Sequence, residues 1–283
     1  MNDITTLVAA RVAMPANEYH ALDRLSSSGC KQIERSPAHF QAWRAKPSEP
    51  TPAMQFGTLV HAAILEPDTL TELCVVKPND APDKRSKAGK EWWEAFEAAV
   101  AGKIILADAD YIRLLSVRDA VQSHPLYSAI RNEAATVEDT LLWQDRETGA
   151  ACKARLDLLA DDCSFVLDVK TTVDARPSEF ASAAVRYGYD IQAAWYSEAV
   201  EVVTGQMPRF FFLAVETEAP FGVQLMRAAP DFLLRGYQRM RNALGTYARC
   251  VASGEWPSYS PVITDLVLPG WARRETQSFT FGE

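Results

Sequence analysis

Two short segments hold residue types suited to phosphodiester chemistry: Arg155-Leu156-Asp157 and Leu167-Asp168-Val169-Lys170. Asp168 and Lys170 stand two apart, so on a strand both side chains leave the same face. Asp157 lies near the end of a stretch that reads as the second strand of a hairpin, and adjacent antiparallel strands bring it beside Asp168. Two carboxylates and a main-chain carbonyl form a hard oxygen cage of the kind that takes Mg²⁺, with Mn²⁺ as a possible substitute. A lysine beside such a cage orients or helps deprotonate an attacking water and stabilises charge developing on the phosphate. On an exposed edge strand, an Asp-x-Lys tripeptide is only a solvated charge pair. Here Phe165, Val166 and Leu167 precede it, which places charged groups in a buried strand, where they need partners or a metal.

Other candidates stand around this pair. His61 falls in a helix expected over 54–65, beside an apolar stripe of Phe56, Val60 and Ile64. It reads either as a metal ligand or as a satisfied core histidine. Glu66 offers a further carboxylate or a helix-terminal surface charge. Gln192 and Tyr196 are one helical turn apart and share a face, from which they reach a phosphate or the lysine. Lys84, Arg85, Lys87 and Lys90 form a basic loop followed by Trp92 and Trp93. Cations beside aromatics suit a DNA backbone or an unstacked base, and equally a solvated charge run before a helix.

The elements that must position these residues are legible in outline. Ser26 to Ser28 offer caps for a helix through Ile33, and Ser36-Pro37 opens a second one. Pro67 ends the 54–65 helix, 73–76 reads as a short strand, and 77–89 as a polar loop. Helices are expected over 88–101 and 108–122. The centre then changes period: strands over 137–143, 151–159 and 165–169, helices over 177–187 and 191–203, strands over 209–216 and 221–226, and a long helix over 230–252. This order implies one α/β domain over 1–283, with a central mixed β-sheet flanked by helices. Residues 1–18 are weakly patterned, and 257–283 form a tail with an apolar piece from Leu266 to Trp271.

Composition narrows the class. The chain has 283 residues, 48% of them hydrophobic, with no apolar run long enough to cross a membrane. The N-terminus lacks a charged-then-apolar leader pattern, and five cysteines without a CxxC pair read as free thiols, so a cytoplasmic protein without an iron–sulfur cluster is expected. A net charge of −8 disfavours indiscriminate nucleic-acid binding, so a DNA enzyme of this charge must gather its cations on one surface.

Taken together, several segments resemble the RecE nuclease domain (exonuclease VIII) and its phage relatives within the PD-(D/E)XK superfamily. They are Tyr19-His20, Gly57 to His61 with Leu65-Glu66-Pro67, the Arg85 to Lys90 loop, Arg155 to Asp157, Leu167 to Thr172, Gln192 with Tyr196, Glu255-Trp256-Pro257, and Leu268-Pro269 with Trp271-Ala272. Their shared order spans most of the chain. The proline of the superfamily's name is missing, since Leu156 precedes Asp157.

The resemblance implies a PD-(D/E)XK core in which His61, Asp157, Asp168 and the Val169 carbonyl ligate metal. Lys170 would act on the water, and Gln192 and Tyr196 would match a downstream motif. It further implies ATP-independent 5′-to-3′ digestion of one strand of double-stranded DNA by a ring-shaped homo-oligomer of three or four subunits. Such an enzyme leaves 3′ single-stranded tails for a RecT-like single-strand annealing protein in phage-type recombination. A RecB-like or structure-specific endonuclease uses the same metal site, and a catalytically idle DNA-binding recombination protein would share the fold.

Overall fold

The expected hairpin forms the middle of a six-stranded mixed sheet. The computed structural model describes residues 9–46, 49–131, 133–270 and 272–273. Along the chain the strands are β1 (Ala9–Val12), β2 (Cys74–Val76), β3 (Ile104–Leu106), β4 (Ala135–Gln144), β5 (Ala151–Ala160), β6 (Phe165–Thr172), β7 (Arg209–Glu216) and β8 (Val223–Arg227). The large sheet runs β1-β4-β5-β6-β7-β8, and β2 and β3 make a separate parallel pair. All neighbours in the large sheet are antiparallel except β6 and β7, which run parallel from Phe165↔Arg209 to Thr172↔Glu216.

The helices are α1 (Ala16–Ala21), α2 (Ser27–Arg35), α3 (Pro37–Ala45), α4 (Pro52–Leu65), α5 (Leu70–Leu73), α6 (Lys87–Ala99), α7 (Asp108–Gln122), α8 (Pro125–Arg131), α9 (Pro177–Tyr187), α10 (Tyr189–Thr204) and α11 (Pro230–Ser253). Ser26 and Ser36 cap α2 and α3 as expected, accepting from the Gly29 and His39 amides. Thr51 caps α4, which starts two residues before the expected 54. Helix α8 has no counterpart in the sequence reading, and 9–21 holds β1 and α1 where little pattern was visible. Arg11 explains part of this, since it pairs with Asp139 across the sheet at 2.5 Å; tertiary contact, not periodicity, builds that strand.

The sheet separates two cores. Helices α2, α3, α9, α10 and α11 cover one face with Ile33, Phe40, Trp195 and Leu244, and α4, α7 and α8 cover the other with Leu59, Leu114 and Tyr127. Alternation along β7 shows the division: Phe210, Phe212 and Ala214 enter the first core, Leu213 and Val215 the second. Trp195 on α10 packs at a tilt against Trp143 with ring centres 5.0 Å apart, and its indole donates to the Lys153 carbonyl at 2.9 Å. Helix α11 approaches α10 so closely at Gly236 that a Cβ there would stand 1.9 Å from the Asp190 carbonyl oxygen. Arg235 and Arg239 of α11 both pair with the fully buried Asp190. These contacts fix α10, which carries Gln192 and Tyr196, against the sheet.

The tail is docked at its start. The Pro257 carbonyl accepts from the Ala38 amide at 3.1 Å, and Tyr259 lies over His39. Beyond this, Ile263 and Leu266 are fully exposed. Trp271, the end of the expected apolar piece, lies outside the described residues. All five cysteines are buried and free, and no helix among the described residues is long and apolar enough to cross a membrane.

Candidate active site

The β5–β6 ladder is short. Leu158 pairs with Leu167 and Leu159 with Val166, and at the next step of the same register stand Asp157 and Asp168. There the strands separate, and the Val169 amide donates to Asp157 Oδ2 at 2.7 Å. On its other side, β5 pairs with β4 at Val137↔Leu158 and Asp139↔Leu156, which sets Glu138 opposite Asp157. Glu138 has φ of 52°, rare for a side chain with a Cβ. At this point the strand changes faces. Leu156 enters the core under α10, whereas Leu158, two residues on, enters the core under α4. The irregularity frees Asp157 from regular alternation and gives its carboxylate to the gap between strands.

Six side chains expected from the sequence gather here. Asp168 is wholly buried. Its Oδ1 accepts from Gln192 Nε2 at 2.9 Å, and the same nitrogen lies 3.1 Å from the Tyr196 hydroxyl. Asp168 Oδ2 is held by the Lys170 ammonium. His61, reaching over from α4, sets Nδ1 3.3 Å from Asp157 Oδ2. Gly57, one turn earlier, passes near the Thr171 hydroxyl, where an added Cβ would lie 3.6 Å away. Helix α4 thus sits low over the end of β6.

Electrostatics set the protonation states. Burial, then repulsion from Lys170, pulls the His61 imidazole down to about 4, so it is neutral near pH 7 and has a lone pair to give. Burial alone would lower Lys170, but Asp168 and Asp157 outweigh it and raise its pKa, so it stays an ammonium. Burial and the neighbouring Asp168 raise Asp157. This centre is therefore a neutral ring, a retained cation and two neighbouring carboxylates, of which Asp157 is pushed towards its protonated form.

Three neighbours escaped the sequence reading. Glu138 hydrogen-bonds Arg155 at 2.6 Å, and its pKa rises through burial and then Asp157. Lys31 of α2 is pulled down to about 8 by burial and then by Lys170. Tyr189 stands between the two lysines, with Lys170 Nζ 4.9 Å and Lys31 Nζ 5.5 Å from its ring centre. None carries a local signal, because each is brought in by a sheet irregularity or a helix crossing.

The basic loop is elsewhere. Lys84 pairs with Glu97 at 2.8 Å and lies over Trp93, Arg85 pairs with Asp83, and Lys87 stands 3.9 Å from Glu91. Lys87 and Lys90 belong to the first turn of α6, capped by Ser86. Trp92 stacks on Phe96 and Trp93 meets it edge-on, both on the same helix and not in the main cores. Glu66 caps the end of α4, close enough to raise Glu138 electrostatically.

Among the described residues, no three His, Cys, Asp or Glu side chains converge closely enough to hold a metal ion as they stand. The expected ligand set His61, Asp157, Asp168 and Val169 is assembled, but its oxygens are turned to Lys170, Gln192 and the Val169 amide.

Comparison with known proteins decides the family. Residues 26–264 match the family model described as a PDDEXK-like domain of unknown function (DUF3799). The chain belongs to this PD-(D/E)XK-like family. A solved structure from Eubacterium rectale, named “Putative exonuclease”, shares the fold with a TM-score of 0.60 at 13% identity, covering 95% of this chain and 100% of its own. A phage-related exonuclease from Haemophilus somnus 129PT aligns at 13% identity with a TM-score of 0.32, over 82% of this chain and 96% of its own. No curated protein matches. The mixed sheet flanked by helices matches the PDDEXK-like architecture.

Proposed function

We propose that the chain is a metal-dependent deoxyribonuclease, and more closely a double-stranded DNA exonuclease. One observation carries the reading: Asp157, Asp168 and Lys170 meet at the point where β5 and β6 separate, beside a neutral His61. The donor set fits a divalent ion. It offers two carboxylates, an imidazole nitrogen and the Val169 carbonyl, and Asp168 Oδ2 is a buried oxygen held by the Lys170 ammonium. Such an ion, Mg²⁺ or Mn²⁺, supplies Lewis acidity toward the phosphate and lowers the pKa of water.

The chain's own residues do the rest. The Lys170 ammonium orients the attacking water and balances charge on the phosphoryl oxygens. Gln192 fixes Asp168, and Tyr196 fixes Gln192. Water oxygen bonds to phosphorus, the P–O3′ bond breaks, one water proton leaves to solvent, and O3′ takes up another. The products are a 5′-phosphate and a 3′-hydroxyl.

The resemblance to RecE-type enzymes supports the finer reading: ATP-independent 5′-to-3′ digestion that leaves 3′ tails for a RecT-like annealing partner. The acidic chain supports a ring of three or four subunits, since a ring retains DNA topologically and sums modest basic surfaces around one channel. Light scattering tests the ring.

The deciding experiment offers end-labelled linear duplex and covalently closed circle, with Mg²⁺ or EDTA. Loss of the linear substrate alone, only with metal and without ATP, is expected. Cutting of the circle would establish the endonuclease reading instead. Asp157→Ala, Asp168→Ala and Lys170→Ala should each abolish hydrolysis, and near-normal activity in Asp168→Ala would remove the assignment.

A further inference from the structure

Past Lys170, the end of β6 opens into a cleft of about 850 Å³, within the roughly 300–1,000 Å³ usual for ligand sites. Thr171, Thr172 and Val173 form its floor, the end of α9 with Tyr187 and Tyr189 forms one wall, and α4 with β3 forms the other. Val173 is almost wholly exposed and Tyr187 is 55% exposed, although the aromatic residues in this core are otherwise largely buried. The Tyr187 and Tyr189 rings lie 5.8 Å apart, tilted by 33°. With Lys170 Nζ 4.9 Å from the Tyr189 ring, an aromatic path leads in two steps from the lysine to solvent.

Charge says what this cleft holds. Its two lining cations are Arg113 and Arg186. Arg113 is paired with Asp110 and Glu218, and Arg186 lies over the Tyr187 ring at 5.4 Å. Asp174 and Glu179 line the cleft as well. Arg186 alone of the lining cations has no ion pair among the described residues, and with two carboxylates beside it a ladder of phosphates gains little there. Flat, uncharged aromatic groups gain more, since every nucleobase presents a π-face to stack on an exposed ring.

We propose that Tyr187 is a stacking platform for one unpaired nucleobase next to the phosphate being cut, so that the cleft takes a single unpaired strand. This rests on the nuclease reading of the neighbouring site and adds to it the form in which the strand must arrive. Arg186 backs the ring and Tyr189 joins it to Lys170.

The test is a double-mutant cycle between the ring and the base. Binding of duplex with a short single-stranded end is measured in EDTA, with an abasic nucleotide stepped inward from each end. Tyr187→Ala should weaken binding of intact DNA roughly ten-fold, while Tyr187→Phe keeps the platform and the affinity. At one position the abasic nucleotide should cause a similar loss with the parent chain and almost none with Tyr187→Ala, because both changes remove the same contact.

Additive losses, or unchanged binding by Tyr187→Ala, would overturn the platform. Should Tyr187→Ala melt early, Tyr187→Gln takes its place in the cycle. A chain that cuts DNA normally while Tyr187→Ala binds like the parent loses only this inference. A chain that neither binds nor cuts DNA loses the nuclease reading with it.

Discussion

Glu198 lies on α10, two residues past Tyr196, and its side chain is 13% exposed. Burial raises its pKa to about 7; Arg241, 3.6 Å away, opposes this, and Asp145 adds to it. Below the ordinary value of 4.5, the carboxyl is protonated in folded and unfolded chains alike and contributes nothing. Between 4.5 and about 7 the unfolded chain releases the proton while the folded one keeps it, so stability falls as pH rises. Above that window the full penalty stands. The unscreened shift corresponds to about 3 kcal/mol. Because part of the carboxyl reaches water, screening reduces this to roughly 1–2 kcal/mol. Glu198→Gln keeps the shape and removes the ionisation, and Arg241 retains Asp145 and Glu147. The variant should therefore melt roughly 2–6 °C higher than the parent at about pH 8, and equally at a pH below the ordinary glutamate range. Thermal unfolding across that range is the assay. A variant that melts lower at high pH would show that attraction to Arg241 outweighs burial, and the reasoning would fail.

Three further outcomes follow from single contacts. Gly236→Ala puts a methyl group 1.9 Å from the Asp190 carbonyl, so α11 must move off α10; urea unfolding should show a loss of about 1–3 kcal/mol or more. Gln192→Leu takes from buried Asp168 the donor at 2.9 Å and should cost roughly 1.5–3 kcal/mol, together with much of the hydrolytic rate; parental stability would show that the bond is idle. Neutralising Lys84, Arg85 and Lys87 together should flatten the salt dependence of DNA binding by about two to three charges if the loop grips phosphate, and an unchanged slope would leave those cations to Glu97, Asp83 and Glu91.

What the sequence made legible was whatever depends on neighbours along the chain. The capped starts of α2 and α3 and the shared face of Gln192 and Tyr196 follow from spacing of four residues or fewer, and the hairpin of β4 and β5 from the strand patterns on either side of a short turn. The aspartate pair was legible because an antiparallel register follows once the hairpin and β6 are placed. The switch of faces at Asp157 was not, because Arg155-Leu156-Asp157-Leu158 alternates normally as text, and only φ of 52° at Glu138 on the opposite strand breaks the pattern. Lys31 and Tyr189 were hidden for another reason. They reach Lys170 through the meeting of α2 with the α9–α10 junction at Gly188, a contact with no local signature.

The Asp168–Lys170 pair itself separates a structural role from a catalytic one. A buried ion pair rarely adds net stability, since desolvating two charges offsets most of their attraction. Asp168 is wholly buried and one of its oxygens is held by the Lys170 ammonium, a desolvated pair that a fold selected for stability alone would replace with apolar side chains. Lys170→Met alone should strand the carboxylate and cost about 3–5 kcal/mol. The double change Asp168→Leu with Lys170→Met should recover that loss and leave the chain as stable as the parent, or up to roughly 4 kcal/mol more so. Gln192 keeps the Tyr196 hydroxyl as a partner in that variant. The stabilised chain should hydrolyse nothing, which is the trade expected where a site is kept for chemistry at the expense of stability. Urea unfolding of the parent, single and double variants at one pH measures it. If the double variant is as unstable as the single one, the pair holds β6 in place, and its burial no longer supports a catalytic role.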